Sequence, residues 1–182
     1  MTDREQLKQI ILELSYEKRL VTLASGRQSD FYFDGKQTTL HAVGGYLVGK
    51  LFYEAIKDVP GVQAVGGITL GADPIATATS IAAHLDGKNM HAFIIRKEPK
   101  GHGTGQWLEG RKNLPTGTKV VIVEDVVTTG GSSMKAVNRA KEEGLDVLGI
   151  VTLVDREEGG RENIEAEGYW LKALFTKSDL VG

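Results

Sequence analysis

Between Val120 and Ser133 the chain reads VVIVEDVVTTGGSS, and two kinds of chemistry stand side by side in it. Thr128, Thr129, Gly130, Gly131 and Ser132 run directly into a helical pattern whose apolar stripe is Met134, Val137 and Ala140. Glycines and hydroxyls at a helix N-terminus offer backbone N–H groups, side-chain donors and the positive end of the dipole to an anion of about phosphate size. Glu124 and Asp125 precede them, and carboxylates repel a phosphate unless they serve sugar hydroxyls or a cation. A phosphorylated ribose has both needs. An N-cap with a tight turn would account for Ser132 but not for the acid pair. No GxxxxGK[ST] occurs and no GxGxxG follows a strand pattern, which argues against a P-loop nucleotidase and a dinucleotide-binding domain.

A second stretch, Arg96–Lys112, reads RKEPKGHGTGQWLEGRK. Arg96, Lys97, Lys100, Arg111 and Lys112 oppose only Glu98 and Glu109, while Pro99 and four glycines work against regular structure. Its local charge of +3 leaves the remaining chain at −5, so positive charge is concentrated here. A long polar loop inside a compact domain is commonly functional. Such a loop suits displacement of a diphosphate from a sugar carbon, where fixed Lys, Arg and His donors stabilise the leaving oxygens and closure excludes water. His102, between glycines, is placed to give a proton or a hydrogen bond near neutral pH. His41, His84 and His91 have no such setting, and no pair of them has metal-ligand spacing.

The elements that must hold these segments follow from periodicity. Thr2-x-x-Glu5 is a capping box ahead of Leu7, Ile10, Ile11 and Leu14, which predicts an amphipathic helix over about 3–18. A second helix is predicted over 41–57. After a short strand at 62–65, Asp73-Pro74 opens another helix, with Asp73 as N-cap and Pro74 at its first position. Strands are predicted at 91–95, 119–123, 146–154 and 169–175, helices at 132–143 and 159–167, and a polar stretch from Arg96 to Gly117. This alternation predicts an α/β fold, a Rossmann-like parallel sheet flanked by helices, with ligands beyond the carboxyl ends of the strands. The loops after Val65, Ile95, Val123 and Val154 then share one rim.

Composition narrows the class. The 182 residues carry 22 Lys+Arg against 24 Asp+Glu, so no global field favours nucleic acid or anionic lipid. No apolar run is long enough to span a bilayer and no leader pattern opens the chain, so a cytoplasmic protein is expected. Cysteine is absent, which excludes disulfides and thiolate metal sites. The 23 glycines exceed average usage, and twelve of them fall in the proposed ligand loops.

VVIVEDVVTTGGSS resembles the signature with which type I phosphoribosyltransferases hold 5-phosphoribosyl 1-diphosphate (PRPP). The stretch Arg96, Lys97, Lys100, His102, Gly103 is similar to the mobile loop of the orotate-specific branch. LASGRQSDFYFD, Leu23–Asp34, is similar to the N-terminal hood of that branch, and VDREEGG, Val154–Gly160, to its orotate-binding segment. The resemblance spans about residues 20–160 and implies transfer of 5-phosphoribosyl from PRPP to orotate. It implies a single domain over 1–182, with a hood from 1–40 and 168–182 and a core over 41–167.

PRPP contacts are implied for Arg96, Lys97, Lys100, His102, Glu124, Asp125, Val126, Val127, Thr128, Thr129, Gly130, Gly131 and Ser132, with Lys100, His102 and Asp125 catalytic. Orotate contacts are implied for Thr128, Arg156, Tyr32 and Phe33. Arg156 offers a bidentate partner to the orotate carboxylate, unless it pairs with Glu157 or Glu158 at the surface. Strand alternation allows only one of Tyr32 and Phe33 to stack on the base. The resemblance further implies Mg²⁺ bound through PRPP without a protein metal site, and a homodimer whose lid, 96–110, acts on the neighbouring site. Two departures stand out: Ala24 and Gly71 occupy positions where many members carry PRPP-contacting lysines. Backbone N–H groups of Thr69–Ala72 and the charge of Arg27 are the expected substitutes. A purine-base phosphoribosyltransferase and a non-catalytic PRPP-binding regulator are the alternatives.

Overall fold

The computed structural model describes residues 1–22, 26, 28–101 and 105–182. The predicted N-terminal helix is divided in three. Thr2 caps α1 (Asp3–Ile10) through a capping box with Glu5, one wider turn covers Ile11–Ser15, and β1 (Tyr16–Thr22) already begins where a helix was expected. Antiparallel pairing with β2 (Gln28–Phe33) takes over from the weak helical pattern after Leu14. Ser15 fixes the return: its carbonyl accepts from the Asp34 N–H, and its buried hydroxyl meets Thr38 Oγ1 at 2.7 Å. That contact seats the four-residue α2 (Lys36–Thr39).

The remaining elements are α3 (Ala42–Ile56), β3 (Ala64–Ile68), α4 (Ala72–Leu85), β4 (His91–Ile95) and β5 (Leu108–Glu109), then β6 (Lys119–Val127) and α5 (Gly131–Glu142). The chain closes with β7 (Asp146–Asp155), α6 (Gly160–Ala166), β8 (Trp170–Thr176) and α7 (Lys177–Val181). The main sheet has the order β5-β4-β3-β6-β7-β8 and is parallel throughout except for β5, an antiparallel edge drawn from the stretch expected to lack structure. Segment 168–182, expected in the hood, supplies β8 to this sheet. Both β8 and α7 still meet the N-terminal elements, through Arg4 over the Phe175 ring, an Arg4–Asp179 ion pair and Lys177 over the Phe31 ring.

Residue alternation in β6 divides the interior. Val121 and Val123 join a core with Leu47, Phe52 and Ile75 of α3 and α4, whereas Val120 and Ile122 join one with Ala136, Val137 and Ile164 of α5 and α6. From β3 the chain crosses to β4 on one side, and from β6 to β7 on the other. The topological switch point therefore lies between β3 and β6, the place where such sheets open a crevice. Two expectations fail locally. Gly71, not Asp73, occupies the N-cap of α4, and Asp73 accepts from the Thr69 hydroxyl at 2.7 Å. Strand β6 also runs four residues further than predicted, so Glu124 and Asp125 lie within the ladder.

Candidate functional site

Being adjacent on a strand, Glu124 and Asp125 face opposite sides of β6. Glu124 is buried against α5, with the Ser133 hydroxyl donating to Oε1 at 3.4 Å. Burial, and then the negative charge of Asp125, push its carboxyl up to about 8, only partly offset by the Ser132 and Ser133 hydroxyls. Asp125 faces the N-terminal elements. A Cβ on Gly35 would stand 2.8 Å from its Cβ, and one on Gly71 2.6 Å from its Oδ1, so two glycines let α2 and the loop before α4 close on this carboxylate. Burial raises the Asp125 carboxyl as well, and the Lys36 charge is the largest influence pulling it back. Of the two, Asp125 is the carboxylate turned to the Gly35 and Gly71 side, where it can meet a sugar hydroxyl or a cation.

The anion cradle follows immediately. Gly130, at φ +83°, is the N-cap of α5, and a Cβ there would press on the Gly160 carbonyl and Ile164 at 3.1 Å. Gly131, Ser132 and Thr129 are exposed at the helix entrance, with Thr128 half-buried beside them, while Asn163 secures the loop by donating to the Thr129 carbonyl at 2.9 Å. Val126 and Val127 are ladder residues; the Val126 N–H donates to Asp125 Oδ1 at 2.9 Å, and the Val127 carbonyl accepts from the Arg156 N–H.

Arg156 leaves the end of β7 and is buried. Its Nη2 donates to Ser29 Oγ and the Phe31 carbonyl, both at 3.2 Å, and pairs with Glu158 at 2.9 Å. The expected alternative, a Glu158 pair, is thus present, but inside the protein, where it latches β2 onto the rim. Nε of Arg156 is buried and makes no hydrogen bond within the protein. In β2 the alternation is realised. Phe33 stacks along Phe31 and lies against Gly35 at the Asp125 side, whereas Tyr32 is turned to Arg19, whose guanidinium sits 3.8 Å from its ring centre.

Arg96 opens the basic stretch that follows β4. Its N–H donates to the Trp107 carbonyl and its guanidinium pairs with Glu109 at 2.9 Å, while Lys100 N–H donates to the Gln106 carbonyl, so the two limbs of the loop are tied. A cavity of about 520 Å³ joins Arg96 and Lys97 to Ser132, Lys135 and Arg139 across the start of α5. Lys97 and Lys100 are exposed. His102 and Gly103, with Ala24 and Arg27, lie outside the described residues. Two features went unforeseen: Trp107 with Arg139 3.6 Å above its ring, and Lys36, which pairs with Asp34 and whose charge acts on the Asp125 carboxyl. Only the Gly35-Lys36 pair, directly following Phe33 and Asp34, marks the latter in the sequence. Among the described residues, no group of three or more His, Cys, Asp or Glu is placed to hold a metal ion, and no helix is long and apolar enough to cross a membrane.

Comparison with protein families matches the phosphoribosyl transferase domain over residues 45–168. Orotate phosphoribosyltransferase of Aquifex aeolicus is 46% identical, with 100% of this chain and 99% of that protein covered. The crystal structure of Mycobacterium tuberculosis orotate phosphoribosyltransferase in complex with Fe(III) dicitrate superposes with a TM-score of 0.86 at 39% identity, covering 100% of both chains. The same enzyme in complex with PRPP gives 0.81 at 37% identity, over 98% of this chain and 99% of that one. With Glu124, Asp125 and the Thr128–Ser132 helix entrance following one another at the β3–β6 switch point, the chain belongs to the phosphoribosyl transferase domain family and, within it, to the orotate phosphoribosyltransferases.

Proposed function

We propose that the protein transfers 5-phosphoribosyl from PRPP to orotate, giving orotidine 5′-monophosphate and pyrophosphate in pyrimidine biosynthesis. The observation that carries this reading is what gathers at the switch point. There the Asp125 carboxylate, the Thr69–Ala72 loop and the Thr128–Ser132 cradle meet, with Arg156 on the adjoining rim. The cradle binds the 5-phosphate with its N–H groups and hydroxyls. Asp125 and Glu124 hold the ribose hydroxyls, and the backbone of Thr69–Ala72 faces the diphosphate. Phe33 packs on the base, Thr128 contacts it, and the Arg156 guanidinium, whose bonds to Ser29, Phe31 and Glu158 use Nη2, is the partner of the orotate carboxylate. A bond from an orotate ring nitrogen to C1 forms as the C1–O bond to pyrophosphate breaks, the proton of that ring N–H ending on the released pyrophosphate or in solvent, and Lys100 and His102 donate to the departing oxygens.

Mg²⁺, entering with PRPP and oriented by Asp125 and Glu124, would supply charge neutralisation at the diphosphate. The lid acts on the neighbouring subunit of a homodimer. In support, Tyr46, Ile81 and Leu85 are exposed on α3 and α4 and line a groove of about 480 Å³, and Leu40, Val43 and Leu70 are further exposed apolar side chains at or near the ends of α2, α3 and α4. Charge and the absence of a membrane-spanning helix among the described residues favour a cytoplasmic enzyme. The test follows the loss of orotate absorbance with PRPP and Mg²⁺. Turnover of adenine or hypoxanthine with none of orotate would support the purine-base alternative, and PRPP binding without turnover of any base would support the regulator.

A further inference from the structure

PRPP brings its densest negative charge to the diphosphate, yet the crevice that must receive it is lined by a carboxylate. On the reading given above, some cation has to face that diphosphate from within the same subunit. The lid is not that source on this reading, since it serves the neighbouring subunit's site and its Arg96 is paired with Glu109. Position 71, where many family members carry a lysine, holds a glycine whose Cβ would meet the Asp125 carboxylate at 2.6–3.0 Å. A side chain there would have to displace the acid.

Gly35 closes on the same carboxylate, 3.1 Å from Oδ2 to its would-be Cβ, and the next residue, Lys36, is near enough for its charge to pull the Asp125 carboxyl down. We propose that Lys36 is a PRPP-binding residue whose ammonium pairs with the diphosphate, in place of a lysine at position 71. Asp34 keeps it ready: Lys36 Nζ lies 2.7 Å from Asp34 Oδ1, while Gln37 Nε2 donates to Oδ2 at 3.1 Å. Its side chain is 41% exposed and so free to swing toward a ligand. The hydrogen bond to Asp34, and more weakly the charge of Asp125, hold the ammonium protonated. Placement on α2 is rigid, because Thr38 in the same turn is pinned by Ser15.

Lys36→Met keeps the length of the stem and removes the charge. Loss of one charge-assisted contact to a diphosphate should raise the KM for PRPP about tenfold or more, with the KM for orotate unchanged within twofold. The Kd for PRPP, titrated calorimetrically with Mg²⁺ and no orotate, should weaken by the same factor, and Lys36→Arg should recover most of both. A KM and Kd for PRPP within twofold of wild type, in a variant with wild-type melting, would overturn the inference; so would an effect confined to orotate. Asp125→Asn, assayed in parallel, separates the two levels. If it is inactive while Lys36→Met is silent, only the role of Lys36 falls. If Asp125→Asn retains full turnover, the placement of PRPP over Asp125 falls with it.

Discussion

Glu124→Gln replaces a buried acid by a neutral group of the same shape, and its effect on stability is calculable. In the folded protein the Glu124 carboxyl titrates at about 8, raised first by burial and then by Asp125, against 4.5 in an open chain. Between these values the unfolded chain has lost the proton that the folded chain retains, so stability falls as pH rises. Below about 4.5 both states are protonated and no difference arises; above 8 both are ionised and the decline levels off. At about 1.4 kcal/mol per pH unit, the window of roughly 3.5 units corresponds to at most about 4–5 kcal/mol. The amide has no such window. Urea unfolding at pH 5, 6.5 and 8.5 should show wild type weakening steadily while Glu124→Gln stays flatter, the variant being the more stable at pH 8.5 by up to about 4 kcal/mol. Parallel stability curves for the two proteins would refute the burial argument. The same charge logic predicts that binding of PRPP with Mg²⁺ at pH 7 releases up to one proton, read from calorimetry in buffers of different ionisation enthalpy.

Lys100→Ala should lower kcat on the order of 10²-fold with an unchanged melting temperature, measured by orotate absorbance. Mixing Lys100→Ala subunits with Asp125→Asn subunits should restore about a quarter of wild-type turnover per active site in a statistical population, because one site of each mixed dimer is intact; no recovery would contradict a shared site. Arg156→Ala should raise the KM for orotate at least tenfold and cost about 2 kcal/mol of stability, since a buried guanidinium holding β2 to the rim is lost; denaturant midpoints and steady-state kinetics check both. Gly71→Lys should reduce activity rather than restore a familiar contact, because the new side chain displaces Asp125.

The strand ladder and the acid-to-glycine segment were legible because their signals are local. β-branched runs make buried strands, and a glycine pair before an apolar stripe makes a helix entrance. Strand β4 fell where periodicity put it, while β3 and β6 run on past Val65 and Val123 to Ile68 and Val127. What escaped depends on partners remote in sequence. Helical spacing through Leu14 could not show that β1 pairs with β2, nor that Leu108–Glu109 would extend the sheet along β4. Asp73-Pro74 has the form of a helix start, but the Thr69 hydroxyl claims Asp73 and the helix begins earlier. The adjacency of Glu124 and Asp125 read as a pair. The pleat instead sends one toward α5 and the other toward Gly35, giving one acid a buried niche and the other the crevice. Lys36 was invisible for the same reason, since its meaning comes from what Gly35 touches.

The central claim is tested most directly by identifying products. With orotate, PRPP and Mg²⁺, phosphorus NMR should show orotidine 5′-monophosphate and pyrophosphate appearing in equal amounts, at a rate that falls at least a hundredfold in Lys100→Ala. Pyrophosphate released without the nucleotide, or no consumption of PRPP at all when orotate is present, would contradict it.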